Sequence, residues 1–189
     1  MKKITLFIAT VMIVFFTMTA CAQKRGNKMN KEMNPKTLIA YFSATGTTER
    51  VAKLIAITTG GKLYKITPEK EYSAADLDWT VKTSRCCREN NDPKSRPAIQ
   101  KGNENIADYD MIYLGYPNWW NMAPRIINSF IESYNLKGKT VIPFCTSGGS
   151  GIENSVKILK KTYPDINWQE GKLLNGTTQG EIDKWISHK

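Results

Sequence analysis

Three short runs of almost unbroken hydrophobic residues punctuate the chain, at 38–42, 111–116 and 140–145. Strands that read this way are buried on both faces, as in a parallel sheet covered by helices. Between them the apolar positions recur every third or fourth residue. Val51, Leu54 and Ile55 mark one such stripe, Ile126, Ile127, Phe130 and Ile131 a second, and Val156, Ile158 and Leu159 a third. Each predicts a helix with one apolar face. A last helix, 182–186, follows Thr178-Gln179-Gly180-Glu181, a capping-box pattern. Weaker strands are expected at 62–66 and near 167–170. The alternation predicts an α/β fold with a doubly wound, five-stranded parallel sheet, five helices and right-handed crossovers.

One connection breaks this rhythm. From Pro68 to Gln100 the chain has no strand, and a single helix is expected over 76–90 before the irregular NNDPKSRPAIQ. Connections of that length are functional or ornamental, and composition does not separate the two.

The first residues are of a different kind. Met1-Lys2-Lys3 precedes an apolar run over 4–16 and then small residues up to Cys21. This predicts an export signal over 1–20, too short and wrongly flanked for a comfortable membrane span. Ala20-Cys21-Ala22 fits ordinary secretory cleavage, and Met18-Thr19-Ala20-Cys21 resembles a bacterial lipoprotein box, with Cys21 as the lipidated residue. A cysteine at that point has no other evident purpose, which favours the lipoprotein reading; an uncleaved anchor is the third option. Residues 21–36 then read as a flexible basic tether, and 37–189 as the domain. The expected location is a bacterial membrane surface, periplasmic or external, held by the lipid.

Charge changes the picture only modestly. The formal net charge is +10. Lys24, Arg25, Lys28, Lys31 and Lys36 against Glu32 place +4 of it in the tether. The folded part is thus mildly basic, and a tether beside an anionic lipid surface explains the excess better than nucleic-acid binding does. No arginine-aromatic array or zinc spacing points to nucleic acid.

Cysteine and histidine usage removes several chemistries. The only histidine, His188, sits beside the C-terminus, so neither a hydrolytic triad nor a Cys-His metal site can be built. Cys86 and Cys87 are adjacent, with α-carbons about 3.8 Å apart, below the usual disulfide range, so free thiols are expected. Cys145 ends an apolar run and reads as a small buried hydrophobe.

In an open α/β sheet, ligands bind beyond the carboxyl ends of the strands. Here those ends lead into three loops almost free of charge: 43–48, 117–124 and 146–151. The first carries hydroxyls at Ser43, Thr45, Thr47 and Thr48, a pivot at Gly46, and amides at a helix N-terminus. It has neither the lysine of a P-loop nor the three glycines of a dinucleotide loop. Hydroxyls and amides without a cation suit one terminal monophosphate, or else only a tight turn. The second loop places Trp119 and Trp120 between Pro117 and Pro124, suited to stacking on a planar heterocycle or to filling the core. In this loop Asn118 and Asn121 are candidates for positive φ, against an ordinary Asn-containing loop. The third, TSGGSG, offers Ser147, Ser150 and the close approach of Gly148, Gly149 and Gly151.

Together SATGTT, GYPNWW and TSGGSG resemble the loops of the flavodoxin-like family, and DLDWT, NDPKSRPAI, NWWNMAPR and TSGGSGIENS resemble a bacterial subfamily that often carries export signals. The similarity covers 37–187. It implies a three-layer flavodoxin-like sandwich that binds FMN noncovalently. Ser43, Thr45, Gly46, Thr47 and Thr48 would hold the phosphate. Pro117, Asn118, Trp119 and Trp120 would flank the isoalloxazine, and Thr146, Ser147, Gly148, Gly149 and Gly151 would face its pyrimidine edge. Redox chemistry would then belong to the cofactor, with no catalytic side chain. Three functions remain open. One is an electron carrier serving a redox partner protein. Another is a reductase, linked to NAD(P)H or quinol, of quinones or nitro compounds. The third is a flavin-binding module without turnover. The missing nicotinamide fingerprint favours the carrier. The basic charge departs from the acidic character of many carriers, against a very low potential and against a basic docking partner.

Overall fold

The computed structural model describes residues 36–188. The expected export signal, the lipidated Cys21 and nearly all of the tether lie outside them. Along the described chain the elements are β1 (Thr37–Tyr41), α1 (Thr47–Thr59), β2 (Lys62–Lys65), α2 (Ala74–Leu77), α3 (Arg85–Asn91), β3 (Met111–Pro117), α4 (Arg125–Ser133), β4 (Thr140–Thr146), α5 (Glu153–Thr162), β5 (Asn167–Trp168), β6 (Lys172–Leu173) and α6 (Gln179–Ile186). The sheet is parallel, in the order β2-β1-β3-β4-β5.

Its central strands are apolar on every residue because both faces are covered. Leu38, Ala40, Ile112 and Leu114 pack with Ile126, Phe130, Val156 and Leu159 of α4 and α5 on one side. Ile39, Tyr41, Tyr113, Ile142 and Phe144 pack with Val51, Ile55, Ile182 and Trp185 of α1 and α6 on the other. The expected capping box of α6 is present: Thr178 Oγ1 accepts from the Glu181 amide, and the Glu181 carboxylate accepts from the Thr178 amide at 2.8 Å.

The fifth strand differs from expectation in being broken. β5 pairs with Thr140 and Val141, and β6 with Phe144 and Cys145. The register advances by one residue between them, which is a bulge. The Val141 and Cys145 carbonyls accept from Gln169 at 2.8 Å and Leu174 at 2.9 Å. Between those two positions, on the same edge, stands Pro143, which has no N–H to give the ladder.

The single helix expected over 76–90 is also two helices. Ser73 caps α2 through a box with Asp76. Asp78 Oδ1 then accepts the Thr80 amide at 3.0 Å, which turns the chain, and Ser84 caps α3 anew. The local polar groups outbid continuation. At its base the crossover is closed by an antiparallel bridge between Pro68 and Ile99. Within it, Arg85 Nε donates to Glu89 Oε1 at 2.6 Å with both side chains nearly buried, and the Arg85 guanidinium lies 3.9 Å from the centre of the Tyr72 ring. Cys86 and Cys87 are free thiols as expected, and both are buried in α3.

Candidate functional site

A cavity of about 560 Å³ opens at the carboxyl ends of β1, β3 and β4. From the first loop it takes Ala44 and Thr45, from the second Pro117, Asn118, Trp119 and Trp120, and from the third Ser147, Gly148, Gly149 and Ser150. No charged side chain among the described residues lines it. A larger cleft of about 820 Å³ runs between β6 and α6, but it is bordered by Lys172, Glu181 and Lys184 and receives nothing from the three loops.

The first loop shows what an anion would find. Gly46, at φ 86°, is the N-cap of α1 and carries no side-chain cap. The first-turn amides are thus left to a ligand. α1 begins at Thr47, so Thr47 and Thr48 belong to the helix and not to the loop. Ser43 Oγ is buried with no hydrogen-bond partner, which is costly unless a ligand completes it. Thr45, Gly46 and Thr47 are exposed. Glu49 brings a negative charge to the first turn, but Lys53 at 2.7 Å and Lys65 at 3.9 Å neutralise it. The hydrogen bond from Lys53 holds the Glu49 carboxyl below its ordinary range. Thr48 makes a contact that the sequence did not foreshadow. Its hydroxyl is buried against that of Thr146 at 2.9 Å, so the pair ties the first loop to the third.

The second loop is a two-residue hairpin. Trp119 and Met122 exchange both backbone hydrogen bonds at 2.9 Å, around Trp120 at φ 46° and Asn121 at φ 62°. Two positive φ values in succession make a tight mirror-image turn. Asn121 is therefore strained as expected, whereas Asn118 is not, and the second strained residue is Trp120. Asn154 Nδ2 donates to the Asn121 carbonyl at 2.9 Å and pins the turn to α5. Trp119 packs edge-on against Phe42 and Tyr72, with both ring centroids at 5.8 Å. It is at once core and pocket floor. Trp120 is exposed.

Asn118 is the polar group of that floor. Its Nδ2 donates to the Gly151 carbonyl at 2.6 Å, which fixes the amide, and its Oδ1 is buried with no partner. The site thus presents one hydroxyl and one carbonyl oxygen awaiting a ligand.

The third loop is shaped internally. Ser147 Oγ accepts from the amides of Gly149 at 3.2 Å and Ser150 at 2.9 Å. Asn175 clamps Ser147, accepting from its amide at 2.9 Å and donating to its carbonyl at 2.7 Å. Space beside Gly148 and Gly149 is open, while a side chain at Gly151 would strike Glu153. Ser43, Gly46, Thr47, Thr48, Thr146 and Gly151 do not line the cavity, although Ser43 and Gly46 adjoin it in the loop. Cys145, directly before Thr146, is buried, and its thiol is pushed up to about 12, chiefly by that burial.

Outside the three loops, three lining residues escaped the sequence reading: Leu77, Trp79 and Cys86, all from the β2–β3 crossover. Trp79, a large ring in a polar stretch, was the one visible signal.

The flavodoxin family model matches residues 36–189. Among solved structures, a candidate flavoprotein from Bacteroides eggerthii is 58% identical, covering 82% of this chain and 97% of its own, with a TM-score of 0.79. A second, from Bacteroides uniformis, is 56% identical over 81% and 98%, also at 0.79. A flavoprotein from Lactobacillus acidophilus, solved in complex with FMN, is 25% identical over 80% and 99%, at 0.65. No curated protein matches the chain. With the sheet order, the three loops and a family match over the whole described domain, the chain belongs to the flavodoxin family.

Proposed function

We propose that the domain binds FMN noncovalently in the 560 Å³ cavity and serves as a membrane-tethered electron carrier. The observation that carries the binding is the pair of orphaned buried groups, Ser43 Oγ in the loop leading to the uncapped start of α1 and Asn118 Oδ1 in the cavity lining. A hydroxyl that can donate, next to free helix amides, suits a phosphate. A fixed carbonyl oxygen beside an indole floor suits an N–H on the edge of a flat ring. FMN, when bound, supplies the redox chemistry. The chain's own residues hold and shield it: the first-turn amides of α1 and Ser43 bind the phosphate, Asn118 orients the ring, and Trp119 and Trp120 exclude water from it. The flavoprotein from Lactobacillus acidophilus, whose structure contains FMN, supports the same reading.

The carrier role is supported by a described cavity lining with no charged side chain, whose one titratable group, the Cys86 thiol, is pushed above its ordinary value by burial. Such a site can tune a flavin without doing acid-base work. The tether and Cys21 would hold the domain at a membrane face.

The test uses the full chain. After incubation with FMN and desalting, the protein is expected to stay yellow and to be photoreduced in two spectrally distinct one-electron stages. Rapid NADPH oxidation with no partner protein would move it to the reductase class, and a colourless protein would sink the FMN reading. In the native host Cys21→Ser is expected to shift it from the membrane to the soluble fraction.

A further inference from the structure

Three aromatic rings line the cavity, and they come from two different parts of the chain. Trp119 and Trp120 belong to the β3–α4 loop. Trp79 stands in the turn between α2 and α3, within the long β2–β3 crossover. The β4–α5 loop brings hydroxyls and glycines to the cavity but no ring.

Trp79 and Trp119 are held in opposite ways. Trp119 is packed by Phe42 and Tyr72, so its orientation is set by the core. Trp79 is 71% exposed, and among the described residues no aromatic ring packs against it. Its backbone nevertheless is firmly fixed. Asp78 Oδ1 accepts from the Thr80 amide at 3.0 Å and the Thr80 hydroxyl at 2.6 Å. The Ser84 amide donates to the Val81 carbonyl at 2.9 Å, and the Cys87 thiol donates to the Trp79 carbonyl at 3.6 Å. The Arg85–Glu89 pair and the bridge between Pro68 and Ile99 anchor the segment below. A well-held turn that displays a bare indole at a cavity is an arrangement without benefit to the ligand-free fold.

We infer that Trp79 is the outer wall of the flavin cavity, stacking on the isoalloxazine ring of bound FMN, and that the β2–β3 crossover is the cofactor's cover. This rests on the FMN reading above. A fused planar ring has two apolar faces, and leaving one in water forfeits much of the gain from burying the other. The apolar lining outside the three loops consists of Leu77, Trp79 and Cys86. Only Trp79 among them is flat and large enough to cover a ring. The crossover thereby acquires a purpose that its composition did not disclose.

The test compares the full chain with its Trp79→Ala and Trp79→Phe variants. FMN affinity and dissociation are read from flavin fluorescence, and thermal unfolding is read without FMN. Trp79→Ala is expected to weaken FMN binding about tenfold, mainly through faster release. Trp79→Phe should restore most of that loss. Unfolding without FMN should be unchanged in both. Wild-type FMN affinity in Trp79→Ala overturns the inference; if quinone reduction by that variant fell at the same time, Trp79 would belong to an acceptor site instead. A lowered unfolding temperature without FMN also overturns it, marking the indole as structural. If the wild-type chain takes up no FMN, the underlying reading fails first, before any variant is made.

Discussion

Ser43 and Asn118 show how a single unpaired atom separates stability from binding. Their orphaned oxygens cost the ligand-free protein free energy, on the order of 1–3 kcal/mol for a buried group with no partner. Ser43→Ala removes one such group, so the ligand-free protein should unfold at the same or higher denaturant concentration. The same change deletes the donor proposed for the phosphate and should weaken FMN binding about tenfold, the scale of one hydrogen bond to a charged group. Opposite signs in the two measurements are the expected outcome; loss of stability together with unchanged affinity would return Ser43 to an ordinary turn. At this scale the sequence was a partial guide. It placed hydroxyls in the loop, yet Thr48, chemically equal to its neighbours, turns inward to Thr146 at 2.9 Å. Only the packing of α1 against the end of β4 distinguishes them.

At the scale of elements, local chemistry was most legible where it is self-contained. The α6 cap is encoded in four residues and forms as read. Its backbone and side-chain hydrogen bonds to Thr178 lower the Glu181 carboxyl below its ordinary value. A depressed folded-state value means the contribution is present above about pH 4.3, the unfolded carboxylate value, and is lost as pH falls through the lower folded one. Thermal unfolding followed from neutral to acid should show Glu181→Gln converging on wild type at low pH. Thr178→Ala should cost about 1 kcal/mol at neutral pH. A constant gap for Glu181→Gln across the range would contradict the linkage. The β5–β6 break was less visible. Pro143 sits in an otherwise ideal buried run, and its missing N–H matters only because that side of β4 faces the fifth strand.

For the whole molecule, charge and topology govern different properties. The order β2-β1-β3-β4-β5 brings the three loops to one edge, and the cavity there is lined without charge. What electrostatic tuning exists comes from the chain at large, whose folded part is mildly basic and whose tether adds +4. A positive field favours the reduced, more negative cofactor, and salt screens it. The midpoint potential of the FMN-loaded protein should therefore fall as ionic strength rises, as read by potentiometric titration at low and high salt. A rise would show that nearby acids dominate the site after all.

The sequence by itself determined the α/β class, the covered central strands, the α6 cap and the three loops, because each depends on residues close together in the chain. The tertiary structure alone decided which atoms meet in the cavity. It tied Thr48 to Thr146, left Ser43 and Asn118 unpaired, put the strain on Trp120 beside Asn121, and brought Trp79 from a distant crossover to the same opening. Those outcomes follow from how distant segments pack: α1 against the end of β4, Asn118 against the third loop, and the crossover folded back between β2 and β3. Period and composition cannot encode that placement, since it is a contact between segments far apart in sequence.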